Sequence, residues 1–503
     1  MDSDKRLKPC IANNRNDRIQ DDRFSNLPDE LLIRILSLLP TKDAAAACTL
    51  SNGLRHVLPK ITALDIDTSP ISFCLKCPDR IEQFPFFVTF VDTVLQAHQS
   101  QYLTKFRLKV GVDFRERHYQ GCNPRRGGCP RSCYPELTPI QINKWITFPL
   151  TYVGLRELEL CIPVKEPGDS HQLPSEIFTC ETLEVLKLDV DLRFDQASTL
   201  PSLSLPNLKV LELFAYLNSD DGFLWRLISS CPILEDLTVI AHWNRLQYIN
   251  VSSPSLRRLH INMCRDDDCD DPPNTDLVLI NTPNLEHISY LDVLALGYSI
   301  SNMEFLITAK IHPKRVLKNE SHEVSRQQFL KLIRPLSHVQ HLVLRGSSSM
   351  LLGFVEVMDH LPVFQNLKHL ELDYTLNYWD KVLLAFLKCS PVLETLAFPQ
   401  GLVSFAVPES YYCEPLDCEI SQTTIPPCCR NYLKRIIVEL CVGNKREIDL
   451  VQFLLRHALV LEKLIMFRIQ QFAVVDRVVL ENILQNLPRA SITCSIEVQD
   501  LTF

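Results

Sequence analysis

An apolar triplet at positions x, x+3 and x+5 recurs along this 503-residue chain and limits what it can fold into. It reads Leu103-Phe106-Leu108, Leu155-Leu158-Leu160, Leu183-Leu186-Leu188, Leu208-Leu211-Leu213, Leu234-Leu237-Val239 and Leu256-Leu259-Ile261. It continues as Leu285-Ile288-Tyr290, Val339-Leu342-Leu344, Leu367-Leu370-Leu372, Leu393-Leu396-Phe398, Leu433-Ile436-Val438 and Leu461-Leu464-Met466. Most successive starts lie 22 to 29 residues apart, a leucine-rich-repeat period. Residues x+3 and x+5 share one face of a short strand, and x+2, x+4 and x+6 share the other. One repeat cannot cover its own apolar face, so neighbours stack as parallel strands and the chain curves into an α/β horseshoe.

Helical segments with apolar stripes are expected between the strands, at Gly222 to Cys231, Ser325 to Ile333, Trp379 to Leu387 and Ile448 to Ala458. The gaps from 103 to 155 and from 285 to 339 are near two periods, so each is expected to hide a degenerate repeat, the second at Leu306-Ala309-Ile311. Position x+8, where regular repeats use Asn or Cys, holds Pro163, Asp191, Tyr216, His242 and Cys264 in five successive repeats. That predicts an irregular solenoid with variable loops.

Before the repeats, FSNLPDELLIRILSLL over Phe24 to Leu39 reads as an amphipathic helix. Pro28 suits its first turn, and Asp29 and Glu30 suit the positive end of its dipole. Leu31, Leu32, Ile35, Leu36 and Leu39 form a wide apolar face, and Pro40 ends the helix. Thr41 is expected to cap a second helix over Lys42 to Thr49, with a third apolar segment from Leu54 to Ile61. So few helices cannot bury that much apolar surface, and part of it must meet a partner or the rest of the chain.

The pattern Leu27-Pro28-x-Glu30-Leu31-x-x-x-Ile35-Leu36-x-x-Leu39, followed by Leu50-Ser51, resembles the F-box, which docks substrate receptors onto the Skp-type adaptor of SCF (Skp-cullin-F-box) ubiquitin ligases. The resemblance implies adaptor contacts by Leu27, Pro28, Leu31, Ile35, Leu36 and Leu39. Plant F-boxes of this type commonly continue Leu-Ser-Lys-Arg-Trp-Arg with a second Trp soon after. Here the run is Leu50-Ser51-Asn52-Gly53-Leu54-Arg55-His56-Val57-Leu58, with Leu54 and Leu58 in place of the aromatics. Further along, residues Pro427 to Met466 and the ending Leu487-Pro488-Arg489-Ala490-Ser491 resemble the FBD domain of many plant proteins. Together the motifs resemble the plant F-box/FBD/LRR-repeat family. The expected organisation is a disordered leader over 1–22, an F-box over 23–62, irregular repeats over 63–407 and an FBD domain continuing the solenoid over 408–503.

Composition narrows the function. A formal net charge of −8 lacks the basic excess that phosphate binding needs, so nucleic acid is not an expected partner. No apolar run reaches the roughly 18 residues of a membrane span. The start MDSDKRLKPC has no export signal, so the 19 cysteines read as reduced, in a cytoplasmic or nuclear protein. No phosphate loop, dinucleotide fingerprint, HExxH or GxSxG motif occurs, and a non-catalytic chain without cofactors is expected. Cys74, Cys77, Cys122, Cys129 and Cys133 lack paired metal-ligand spacing and read as reduced loop cysteines rather than a metal site. The acidic run Asp266 to Asp271 lacks the alternating ligands, central Gly and closing Glu of a calcium loop.

If the strand reading holds, the concave face carries Glu157, Glu159, Asp189, Glu212 and Asp236 early, then Arg258, His260, His287, His341, Arg345 and His369. This change of sign marks the second group as candidate substrate contacts for a protein with complementary segments. By resemblance the chain is the receptor subunit of a ligase, linked through its adaptor to cullin and RING subunits. The alternative is a protein-binding repeat scaffold outside any ligase, its F-box having lost its aromatics.

Overall fold

The computed structural model describes residues 27–67, 83–110, 137–162, 173–193, 203–217, 222–243, 248–264, 277–313 except 293, 296 and 302, 322–346, 360–373, 379–402, 425–469, 473 and 475–501. The leader, the five loop cysteines and the acidic run lie outside these residues.

Two helices open the described chain, α1 (Asp29–Leu36) and α2 (Thr41–Leu50). Instead of a third helix there are two 3-10 turns, Asn52–Leu54 and Leu58–Lys60. Gly53 and Pro59 disfavour a regular helix there. Leu54, Val57 and Ile61 nevertheless point into the core.

The repeats follow as β1 (Ala63–Asp67), α3 (Gln83–Ala97), β2 (Lys105–Lys109), α4 (Pro139–Leu150), β3 (Glu157–Ile162), β4 (Val185–Arg193), β5 (Val210–Leu217), α5 (Phe223–Ser229) and β6 (Asp236–Trp243). Next come β7 (Tyr248–Ser252), β8 (Arg258–Cys264), β9 (Leu277–Asn281), β10 (His287–Asp292), β11 (Gly297–Ser301), β12 (Thr308–Pro313), α6 (His322–Ile333), β13 (His341–Leu344) and β14 (His369–Leu372). The chain closes with α7 (Trp379–Cys389), β15 (Thr395–Phe398), α8 (Pro427–Asn431), β16 (Arg435–Cys441), α9 (Lys445–His457), β17 (Lys463–Ile469), α10 (Arg477–Gln485) and β18 (Ser495–Leu501).

Among the described residues, all but three strands form one 15-stranded sheet in the order β1-β2-β3-β4-β5-β6-β8-β10-β12-β13-β14-β15-β16-β17-β18, every neighbouring pair parallel. The x+3 and x+5 residues of the triplets, such as Leu186, Leu188, Leu237 and Val239, are buried on one face. From β3 to β17 each repeat is registered by two consecutive N–H groups that donate to one carbonyl of the previous repeat, as Glu184 and Val185 do to Arg156 at 2.8 and 3.0 Å.

Three expectations change. The hidden repeat at Leu306-Ala309-Ile311 is present as β12, but none separates residues 103 and 155 in the sheet, where β2 pairs directly with β3. The sheet also runs one strand further than the triplets at each end, through β1 and β18. On the covered face, β7, β9 and β11 form a second parallel sheet in place of helices. The rises from β6 to β8 and from β10 to β12 take 22 and 21 residues, too few for a strand, a helix and two turns in comfort, and a five-residue strand closes the layer instead at β7 and β11; the 29-residue rise that holds β9 is not short.

Candidate docking surfaces

Two surfaces remain once the core is accounted for. The first is the outer edge of α1. Leu32 and Leu36 are 1% and 0% exposed and pack inward, whereas Leu31, Leu38 and Leu39 are 46%, 82% and 37% exposed. Leu27 and Ile35 are half-buried and Pro28 is exposed beside them. The exposed edge thus contains five of the six candidate adaptor residues. Leu36 is the correction: the 3.6-residue period turns it, with Leu32, onto the chain's own core. Leu38 is an addition, and its place in the LSLL ending was the available signal.

Behind this edge the helices are tied to the solenoid. Thr41 begins α2 and does not cap it; its buried hydroxyl accepts the Asp65 N–H of β1 at 2.8 Å. Ser37 Oγ likewise accepts the Thr62 N–H at 3.0 Å. Asp29 binds His56 Nε2 at 2.9 Å and Lys60 Nζ at 3.2 Å, and these hydrogen bonds hold its carboxyl below the usual range. His98 completes the joint. Its Nε2–H donates to the Ile61 carbonyl at 3.0 Å, so Nδ1 accepts from the Tyr152 hydroxyl at 2.8 Å. Burial keeps this imidazole neutral by lowering its pKa.

The second surface is the open face of the main sheet, the concave side expected of a horseshoe. Its early acids are largely neutralised. Arg107 reaches Asp65, Asp67 and Glu159 at 3.0, 3.2 and 3.2 Å. Lys105 pairs with Glu157 at 2.8 Å, and Lys187 with Glu212 at 2.9 Å. The sign change read from alternate residues is therefore shallower than expected, because Lys105, Arg107 and Lys187 share those rows. Opposite charges facing one another across neighbouring strands stabilise the ladder at the same time.

The six candidate substrate contacts all lie beyond this ladder. The register places Arg258, His287, Thr308 and His341 in one row on β8, β10, β12 and β13. His369, Thr395, Arg435 and Lys463 continue it on β14 to β17. Eight strands carry that row without a carboxylate. Beside it run His260, Ser289, Lys310, Val343, Glu371, Ala397, Ile437 and Ile465. Arg258 pairs with Asp236 at 2.9 Å. Glu371 accepts from His369 at 3.1 Å and from Arg345 at 3.4 Å, and its pKa is lowered chiefly by the His369 hydrogen bond. The His341 and His369 rings lie 5.6 Å apart. Burial, then the neighbouring His369 and His287, lower the His341 pKa.

No group of three or more His, Cys, Asp or Glu suited to a metal occurs among the described residues. Nor is any described helix long and apolar enough to cross a membrane.

The F-box domain pattern matches residues 24–60, that of the LRR repeats of the FBD-associated F-box protein At5g56370 matches 142–313, and FBD matches 421–466. The F-box/LRR-repeat protein At4g14103 of Arabidopsis thaliana is 30% identical over 76% of this chain and 92% of its own length. The chain belongs to the F-box/LRR-repeat family. Two further Arabidopsis relatives span more of it. The F-box/FBD/LRR-repeat protein At1g80470 is 28% identical over 89% of the chain and 86% of its own length, and F-box/LRR-repeat protein 13 is 27% identical over 95% and 96%. In this F-box/LRR-repeat protein the matched F-box spans α1, α2 and both 3-10 turns, and the matched FBD spans α8, β16, α9 and the first half of β17.

Proposed function

We propose that this F-box/LRR-repeat protein is the substrate-recognition subunit of an SCF ubiquitin ligase. Its F-box docks a Skp-type adaptor, and through it the cullin and RING subunits, while the open face holds a target protein. The observation that carries this reading is the two-sided α1: Leu32 and Leu36 anchor it in the chain's own core, while Leu31 on its outer edge and Leu38 and Leu39 just past its end remain exposed. Exposed aliphatics this close together suit burial against a partner. The chain supplies proximity and orientation, and catalysis belongs to other subunits. A cytoplasmic or nuclear setting fits buried thiols such as Cys231, whose pKa burial pushes up to about 11.

Co-purification with a Skp-type adaptor tests this, comparing wild type with Leu31→Ala/Leu39→Ala. Two lost apolar contacts cost about 3 kcal/mol or more, over a hundredfold in affinity. Retention of the adaptor by the double variant would remove α1 as the docking edge. A wild-type chain that folds but binds no adaptor would favour the scaffold reading, which draws on Leu54, buried in the chain's own core where plant F-boxes commonly carry Trp.

A further inference from the structure

We propose that the carboxylate-free row from β8 to β17 is a docking strip for an extended acidic peptide segment of the target, its carboxylates set against His287, His341 and His369. This deepens, and rests on, the reading of the open face as the target-binding surface.

Three observations converge. The row is free of carboxylates over eight consecutive strands, whereas the row on the first six main-sheet strands includes Glu157 and Asp236. Strands spaced by about 4.8 Å give it a length of roughly 34 Å, matched by about ten extended residues. At its far end the partly exposed Ile437 and Ile465 line the adjacent row, so aliphatic side chains of the same peptide find apolar surface there, whereas Thr395 and Ala397 of β15 are buried between.

The row's donors are three imidazoles, two threonine hydroxyls and three permanent cations, Arg258, Arg435 and Lys463. Arg258 is already engaged by Asp236, and Lys463 by Glu497 at 2.9 Å. A nucleic-acid backbone asks for several permanent cations and stacking aromatics, and neither row between β8 and β17 holds Phe, Tyr or Trp. Carboxylates spaced along a peptide are better matched.

Docking is accordingly coupled to protons. His341 faces His287 and Ser289 of β10, Thr308 and Lys310 of β12, Arg345 of its own turn, Lys368, His369 and Glu371 of β14, and Thr395 and Glu394 beyond. Burial first, then the neighbouring His369, His287 and Lys368, lower its pKa, with Glu371 the one opposing charge named in its surroundings. A carboxylate brought by a partner favours the imidazolium, so binding takes up a proton and tightens as pH falls through the histidine range.

Fluorescence anisotropy on the full chain tests this with a labelled peptide of about twelve residues, three Glu-Leu-Glu-Ser repeats, against its Lys-for-Glu counterpart. The expected result is binding of the acidic peptide roughly tenfold tighter than the basic one, strengthening about threefold or more from about pH 7.5 to about pH 6. His287→Gln/His341→Gln/His369→Gln removes the pH response while leaving the unfolding midpoint in place. Equal binding of both peptides, binding of neither, or a pH response that survives the triple variant overturns the proposal. Adaptor co-purification of the same sample separates the two readings: adaptor binding without peptide preference rejects the strip alone, and the converse rejects the ligase role alone.

Discussion

The hydroxyl of Thr41 sits 2.8 Å from the backbone nitrogen of Asp65 and accepts its hydrogen bond, so the first residue of α2 closes a donor on the first strand of the solenoid. A side chain that commonly caps its own helix has been spent on the neighbouring element. Thr41→Val keeps the shape and leaves the Asp65 N–H without this partner, a loss of about 1–2 kcal/mol in urea unfolding. Thr41→Ser should recover most of it.

Leu31 and Leu36 lie on the same helix and face opposite ways. Leu36→Ala should lower unfolding free energy by about 2–5 kcal/mol, whereas Leu31→Ala should leave it within roughly half a kcal/mol of wild type. The same pair in an adaptor pull-down should rank the other way, once both are compared at a temperature where each is folded.

Glu447 begins a different dependence. Its carboxylate is buried, with one oxygen accepting from the Val442 and Gly443 N–H groups at 3.0 and 2.6 Å. Burial raises its pKa to about 7. The folded chain therefore holds this proton more tightly than the unfolded chain, whose carboxyl titrates near its ordinary value. The group's contribution is complete below about pH 4.5 and is lost as pH rises to about 7, a change of roughly 3 kcal/mol. Glu447→Gln should flatten that part of the stability profile, measured as the urea midpoint across the range.

Gly346 has a φ of +64°, and a Cβ placed there would collide with the His312 ring. Left-handed backbone alone costs an L-residue about 1–2 kcal/mol. Gly346→Ala should thus destabilise by about 2 kcal/mol or more in denaturant unfolding, and pairing it with His312→Ala should recover the steric part.

The repeat was legible because leucines at x+3 and x+5 had to share a strand face, and β2 to β6 appear where that spacing put them. The same rule extended to Leu306-Ala309-Ile311 and found β12. It failed between Leu103 and Leu155 because a long gap looks alike whether it holds a strand or an excursion. β7, β9 and β11 went unseen although Ile249 and Val251, or Val278 and Ile280, alternate as strand residues do; five-residue segments between stronger triplets carry too little pattern to stand out. The resemblance places Leu36 outward, and an apolar stripe alone does not say which half meets the chain and which meets a partner. The pairing of Lys105, Arg107 and Lys187 with the early acids was readable by counting all the outward positions, not the acids alone.

The unbroken ladder from β1 to β18 works as a ruler. Each strand adds about 4.8 Å of hydrogen-bonded, sideways-incompressible spacing, so His341, nine strand intervals from β1, sits roughly 43 Å along the sheet from the joint held by Thr41. A guest gripped at one row cannot slide nearer to α1 without changing partners. The strand on which a guest is held thereby decides which part of its surface comes within reach of whatever α1 carries.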